Sequence, residues 1–414
     1  MYKWLYNIFL TVYPKLIAIA ALNNKKAKLW LEGRREAFSL LEQKLLNNTN
    51  KTIWMHCASL GEFEQGRPLL EAIKNLHPEY KIILSFFSPS GYEVRKNYPL
   101  ADLVCYLPMD GKTNAIRFYD IVNPSLVIFV KYEFWFYYLK EAKKRNIPSI
   151  LVSAIFRPNQ LFFKWYGKLY REMLVSFEKI FVQNESSKHL LESIRINSNV
   201  FISGDPRFDR VIEIANNSLI INNIDLFIKN KKIIVAGSTW TEDDKVLSEL
   251  AKLETEYNYI IAPHDITENR LNECLTLYPD AQLFSEWRTN PKNDLRVIII
   301  DNIGMLSYLY KYAYICFIGG GWGKAGIHNL LEAAVYNKPV VFGPIFHQFE
   351  EANAIIEEGG GFYVDNLSGL KKISYNLLND ADFYAETSQK AGDFVRKHAG
   401  ATNKIIKKIE CFLN

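Results

Sequence analysis

From residue 52 onward the chain alternates short β-branched runs with longer amphipathic stretches, and it does so in two series. Alternation of this kind predicts parallel sheets with helices on both faces. Strand candidates of the first series are 52–57, 81–87, 126–130, 149–153, 179–182 and 200–203, with helical patterns such as 62–76 and 133–145 between them. The pattern breaks after Asp209, and residues 213–231 are rich in Asn and Ile without a strong period. It restarts with strand candidates at 232–236, 258–262, 296–300, 314–318, 339–342 and 361–364, separated by helices that include 241–255 and 326–336. The expected fold class is α/β: two doubly wound, Rossmann-like domains facing a cleft. Ligands of open α/β sheets bind at the carboxyl ends of the strands. The expected boundaries are an apolar helix over 1–22, a first domain over 23–210 and a second over 211–414, joined near 205–231. The last helix, 401–412, is expected to pack back onto the first domain.

Composition narrows the function. Fifty basic against 45 acidic residues leave a net charge of +5, too little to argue for nucleic acid. The five cysteines are scattered, with no CxxC spacing, which speaks against a disulfide framework or a zinc site and for a reducing compartment. Residues 2–22 are apolar and aromatic, but Lys3, Pro14 and Lys15 interrupt them, so no run of about 18 apolar residues exists to span a membrane. No small-residue cleavage site marks a secretory signal. Lys25, Lys26, Lys28, Arg34 and Arg35 follow. An apolar helix with a cationic flank suits an anionic membrane face, with Trp4, Tyr6, Phe9 and Tyr13 as an interfacial belt. The alternative is a buried first helix.

Two segments carry most of the chemistry. In His56-Cys57-Ala58-Ser59-Leu60-Gly61-Glu62 a strand ends, Gly61 turns and a helix begins. Glu62 then falls in the first helical turn, where the helix dipole stabilises an anion, and a general base ionised at neutral pH is expected there. An ordinary acidic first-turn residue is the alternative. His56 is expected in the core or in the wall of the cleft. The second segment runs from Gly319 through Gly320, Gly321, Gly323 and Gly326 to Asn329, Leu330, Leu331 and Glu332. A glycine loop opening into a helix can cradle a phosphate, although Ala325 stands where a P-loop has Ser or Thr. A helix from Gly326 puts Asn329 and Glu332 on one face, with Glu332 able to accept ribose hydroxyls. The alternative is a turn that needs glycine only for backbone geometry. Gly237-Ser238-Thr239, Pro263-His264 and Gly304-Met305-Leu306 follow other strands of the same sheet. Asp243 and Asp244 are expected to form a solvated first turn. Arg207, in Gly204-Asp205-Pro206-Arg207, is available for an anion or for a local pair with Asp205.

These segments together resemble the bacterial 3-deoxy-D-manno-octulosonic acid (Kdo) transferases. The resemblance rests on HCASLGE at 56–62, GDPRFDRV at 204–211, GST at 237–239, DNIGML at 301–306, GGGWGKAGIHNLLEAA at 319–334 and PVVFGP at 339–344. It implies a GT-B glycosyltransferase that moves Kdo from CMP-Kdo to the lipid A precursor (lipid IVA) at the cytoplasmic face of the inner membrane. CMP-Kdo is then the donor substrate, and no cofactor or metal is implied. By position, Glu62 matches the family's catalytic proton acceptor. Pro263, His264, Gly304 to Leu306 and Asn329 to Glu332 match its CMP-binding segments. The family often has Arg at His264 and Glu at Met305, so donor contacts differ there. Ser59, Gly61, Glu133, Arg157 and Arg207 are the candidates for the acceptor or its anionic groups, and Arg34 and Arg35 for the membrane surface. A nucleotide-sugar 2-epimerase of the same architecture and an inactive membrane-attached sugar-nucleotide-binding protein are the competing readings.

Overall fold

The computed structural model describes residues 2–217, 221, 224–228, 231–292 and 294–413, so part of the 213–231 stretch lies outside the described residues. The chain divides into two units, Met1–Asp209 together with Ala399–Asn414, and Arg210–His398. The first holds β1 (Thr52–Cys57), β2 (Lys81–Phe86), β3 (Leu103–Tyr106), β4 (Pro124–Val130), β5 (Ser149–Ala154), β6 (Lys179–Val182) and β7 (Val200–Ile202). They form one parallel sheet in the order β3-β2-β1-β4-β5-β6-β7. The second holds β8 (Lys232–Thr239), β9 (Tyr257–Pro263), β10 (Gln282–Leu283), β11 (Val297–Ile299), β12 (Ile315–Ile318), β13 (Val340–Phe342) and β14 (Gly361–Tyr363). Its order is β10-β11-β9-β8-β12-β13-β14, all parallel. Apart from the short edge strand β10, both sheets wind outward from their first strand in the same way. β3 and β10 have no counterpart in the sequence-based expectation.

Helices cover both faces of each sheet, so the strands read as continuous apolar runs; every residue of β1 is buried. Trp54 of β1 is fully buried among Phe118, Phe129 and Tyr138, with ring centroids 4.6–5.4 Å away. Its indole N–H donates to the Ser85 hydroxyl at 2.8 Å, so no donor is orphaned. Side-chain caps set several helix starts: Asn24 accepts from the amides of Lys26 and Ala27 ahead of the Lys25–Leu45 helix.

The C-terminal helix, Ala401–Ile409, belongs to the first unit. Ile405 and Ile409 are fully buried in the core that also contains Leu69 and Ile73. The Asp209 carboxylate accepts from the amides of Gly400 and Thr402, the latter at 2.7 Å.

The N-terminal helix, Tyr2–Ala20, is docked on one side and open on the other. The Tyr6 hydroxyl donates to Asp110 at 2.6 Å, and Tyr13 lies against Trp30 and Phe87. Burial pushes the Asp110 carboxyl up to about 6, although the Tyr6 hydroxyl and nearby backbone amides oppose the shift. Trp4 is 65% exposed, and Leu5, Ile8, Phe9, Val12, Leu16 and Ile19 are exposed with it. Among the described residues no helix is long and apolar enough to cross a membrane. Arg34 does not belong to that surface. Its guanidinium lies 3.8 Å from the Trp30 ring centre and donates to the Phe87 carbonyl at 2.6 Å, bracing the helix against the sheet. Arg35 is exposed.

Candidate active site

Glu62 stands in the first turn of the Leu60–Leu76 helix, immediately after β1, and its residue is only 9% exposed. Its carboxylate accepts from the Ala58 amide at 2.5 Å and also from the Tyr132 amide. The sequence expectation of an ionised group is corrected here. Burial, and next the neighbouring Glu133, push Glu62 up to about 8, against the opposing pull of the two amides and Lys131. Desolvation and a second acid outweigh the helix terminus.

Glu133 is equally buried, and its Oε2 lies 2.8 Å from His56 Nε2 and 2.5 Å from Trp135 Nε1. His56 is fully buried in the core as expected, with Nδ1 2.8 Å from the Ser85 hydroxyl. Serine, histidine and glutamate therefore line up, but Ser85 is fully buried and is not a nucleophile open to substrate. Above the turn the surface is open: Gly61 is exposed with no atom within 4 Å of where a Cβ would stand, and Ser59 is half-buried. Arg157 is exposed, and its backbone amide is tied to Gln160 at 3.0 Å. Arg207 is bound to Asp205 by its Nε at 2.8 Å and its Nη2 at 2.7 Å, so the local pair, and not a waiting anion site, is what forms.

In the second unit Ser238, Pro263, His264, Gly304 and Leu306 come together around a pocket of about 470 Å³, joined by Trp240, Asp265, Ile266, Asn302 and Ile303. Ser238 sits in a left-handed conformation (φ 56°) at a bulge in β8, and Gly304 (φ 94°) is exposed with nothing within 4 Å of a Cβ position. An aromatic stack forms beside them. The Trp240 and His264 ring centres are 4.7 Å apart, those of His264 and His328 4.4 Å, and Trp240 Nε1 donates to His328 Nε2 at 3.2 Å. Burial lowers both imidazoles, His328 to about 4, so the stack is uncharged at neutral pH.

Other candidates of that unit turn inward. Gly237 has the Tyr310 hydroxyl 2.0 Å from its Cβ position, and Thr239 is fully buried, donating to Asp244 at 3.1 Å. The Gly320 amide is already bonded to Asp243 at 2.8 Å. A Cβ on Gly321 would lie 2.5 Å from the Gly343 amide nitrogen. These glycines serve close backbone approach, as the alternative account of the loop held. No helix starts at Gly326, since the next helical residues are Leu331–Ala334. Gly320 and Gly326 both take φ near 80–90° (91° and 81°), which keeps the segment coiled. Leu330 and Leu331 are fully buried core residues. Asn329 and Glu332 do meet, Nδ2 to Oε1 at 3.0 Å, but through a turn in which Asn329 accepts from the Leu331 amide. Met305 is half-buried, its sulfur 3.4 Å from Asn302 Nδ2. The expectation for Asp243 and Asp244 is also overturned, because both are fully buried. Asp243 accepts from the amides of Trp240 and Gly320, while Asp244 pairs with Arg270.

Trp240, His328 and Asp243 are the residues that sequence reasoning missed around this pocket. Trp240 and His328 directly adjoin or fall inside the GST and GIHN motifs, and an aromatic beside a strand-end loop was the available signal.

Residues 32–210 match the family model described as 3-deoxy-D-manno-octulosonic-acid transferase (kdotransferase). A 3-deoxy-D-manno-octulosonic acid transferase of Aquifex aeolicus is 29% identical over 81% of this chain and 88% of its own length. The chain's similarity to the Kdo transferases thus runs over residues 32–210 in the family model and over most of the chain in this relative. A bifunctional glycosyltransferase/methyltransferase of Fusobacterium nucleatum is 27% identical along 100% of this chain, which spans 64% of that relative's length. Among solved structures, a UDP-GlcNAc 2-epimerase from Neisseria meningitidis superposes with a TM-score of 0.60 at 16% identity, covering 87% of this chain and 100% of that one. A glycosyltransferase from Rickettsia africae gives 0.54 at 17% identity, covering 88% and 98%. At those identities both show the shared fold alone. The family-model match covers β1 to β7, and so it includes Glu62, His56 and Glu133.

Proposed function

We propose that the chain is a glycosyltransferase that moves Kdo from CMP-Kdo to the lipid A precursor. The observation that carries this reading is Glu62: a buried carboxylate of raised proton affinity, under an open glycine turn, at the carboxyl end of β1, an interior strand of the first unit's sheet. Ionised Glu62 takes the proton of the acceptor hydroxyl. The hydroxyl oxygen attacks the anomeric carbon of Kdo from the face opposite CMP, and the bond to the CMP phosphate oxygen breaks, its electron pair leaving with CMP. The result is a single inverting displacement. The donor nucleotide is assigned to the pocket of the second unit, its base against the neutral Trp240–His264 stack and its phosphate near Ser238 and Gly304, where backbone approach is unhindered.

Two features of the first unit support a lipid acceptor at a membrane face. The exposed stripe of Trp4, Phe9, Leu16 and their neighbours suits a helix lying in the interface, and Trp165 is 85% exposed. A pocket of about 430 Å³ with a floor of Phe136 and Met173 is lined by Lys140, Lys143, Lys168 and Arg171 against one acid, Glu172. Such a pocket suits a phosphate attached to an apolar body. The stripe suits an enzyme seated at the cytoplasmic leaflet.

Mass analysis of the product formed from CMP-Kdo and lipid IVA tests the reaction: a Kdo-bearing lipid is expected, and epimerised nucleotide sugar with no lipid product would sink the assignment. Replacing Trp4 and Phe9 by Ser is expected to release the protein from anionic liposomes, and unchanged co-sedimentation would refute the interfacial helix.

A further inference from the structure

The segment leaving β4 does two things at once. Lys131 takes a left-handed conformation (φ 63°), held by its amide on the Val152 carbonyl at 2.9 Å. That turn delivers the Tyr132 amide to the Glu62 carboxylate. The very next residue, Glu133, sends its own carboxylate into the wall of the same site.

Hydrogen bonds tie Glu133 into that wall. The Trp54 indole can only donate, so the Ser85 hydroxyl accepts from it. His56 Nδ1 lies 2.8 Å from the same hydroxyl, and His56 Nε2 lies 2.8 Å from Glu133 Oε2. The Trp135 indole, also a donor only, bonds to that Glu133 oxygen at 2.5 Å and lies 3.1 Å from His56 Nε2. Trp135 thus bridges the imidazole and the carboxyl group, and the buried chain from Trp54 to Glu133 holds that group in place.

We infer that Glu133 is a positioning residue for the transfer reaction: a carboxylate pinned by His56 and Trp135 that fixes a second negative charge beside Glu62 and so makes Glu62 the stronger base. This rests on Glu62 being the base. Glu133 ranks next to burial among the causes that raise Glu62. The other titratable groups facing Glu62 are Lys131, which acts in the opposite sense, and the Cys57 thiol, held neutral by complete burial. The design resembles a pair of acids whose surroundings differ: Glu133 is anchored by Trp135 and His56, and Glu62 beside it takes up the proton.

Glu133→Gln tests it, because the amide keeps the shape and removes the charge. The Glu62 titration midpoint, read by carbon NMR of the labelled carboxyl and assigned by comparison with Glu62→Gln, is expected to fall by about one pH unit, or about tenfold in proton affinity. The acid limb of kcat should move with it while the plateau drops about threefold, as a weaker base transfers less readily. Lys131→Met should move both midpoints upward; it carries the test alone if Glu133→Gln does not fold. Midpoints unmoved in the folded variants, with kcat merely reduced, would overturn the inference and leave Glu133 as packing. If the NMR midpoint moves but the kcat profile does not, the coupling of charges stands and it is the base assignment that fails.

Discussion

The two units place an acid at the same point of the same winding. Glu62 is the third residue of the helix that follows β1, and Asp243 the third residue of the helix that follows β8; each strand is the first of its unit and lies inside its sheet. Their surroundings separate them. Asp243 sits in a bracket of backbone amides, its Oδ2 accepting from Trp240 and Gly320, and beside it Asp244 is matched to Arg270 and Thr239. Burial holds Asp243 up to about 6, short of neutrality. Glu62 faces another acid, with Lys131 only partly offsetting it, and it rises to about 8. The bracketed acid ties β8 to the loop after β12. The crowded one stores a proton affinity that packing alone would not select, which is the signature of a working group.

The comparison is broken most readily at Glu62. Glu62→Gln is expected to lower the transfer rate by about 10²–10⁴-fold with the circular dichroism unchanged. A variant with normal turnover would end the contrast. Asp244→Ala should act on stability instead: it removes the buried carboxylate partner of Arg270, leaving only Glu273, and is expected to cost about 3 kcal/mol in urea unfolding. Turnover per folded molecule should persist, and a rate loss without a stability loss would show that the second unit's acids are also chemical. The pH dependence sharpens the picture further. With Glu62 as the proposed base, active only when ionised, kcat/KM should climb about tenfold per pH unit below about 8 and level off above it. Its folded pKa lies above the ordinary carboxyl value of 4.5, so its contribution to stability is intact below that value and is lost as pH rises toward 8. Glu62→Gln should therefore melt higher than the parent at pH 8, by roughly 2–4 °C for each kcal/mol recovered, and match it at pH 4. Equal melting temperatures at both pH values would mean that Glu62 is not strained. The smallest effect is expected at Asp243→Asn, which keeps an acceptor for both amides; a melting shift of more than about 5 °C would show that the charge, and not the oxygen, holds the bracket.

The β-branched runs made twelve of the fourteen strands among the described residues legible, because a strand covered on both faces writes its burial directly into the sequence. Glu62 was legible by position, since a strand, a glycine and an acid at a helix start are local events. Its protonation was not, because the second acid is 71 positions away and reaches it only through the exit of β4. Asp243 and Asp244 misled for the same reason: two acids at a helix start look solvated until the partners from Gly320 and Arg270 are in place. The glycine loop at 319–326 promised a phosphate cradle, yet its amides and bare Cα atoms are largely spent on close packing against Ser238 and Gly343. Such demands come from neighbours distant in the chain, and no local pattern announces them.

The tie between Asp209 and the amides of Gly400 and Thr402 has a consequence for how the molecule is made. The polypeptide leaves the first unit at Asp209 and re-enters it beside the same carboxylate, so the second unit is an insertion between two anchored ends. During synthesis the nascent chain completes the second unit while the first still lacks the residues that seal Leu69 and Ile73. An unsealed apolar face must wait on the ribosome for nearly two hundred further residues. Chaperone demand should therefore track the arrival of the helix Ala401–Ile409, and a stop codon placed just before it should yield an insoluble product.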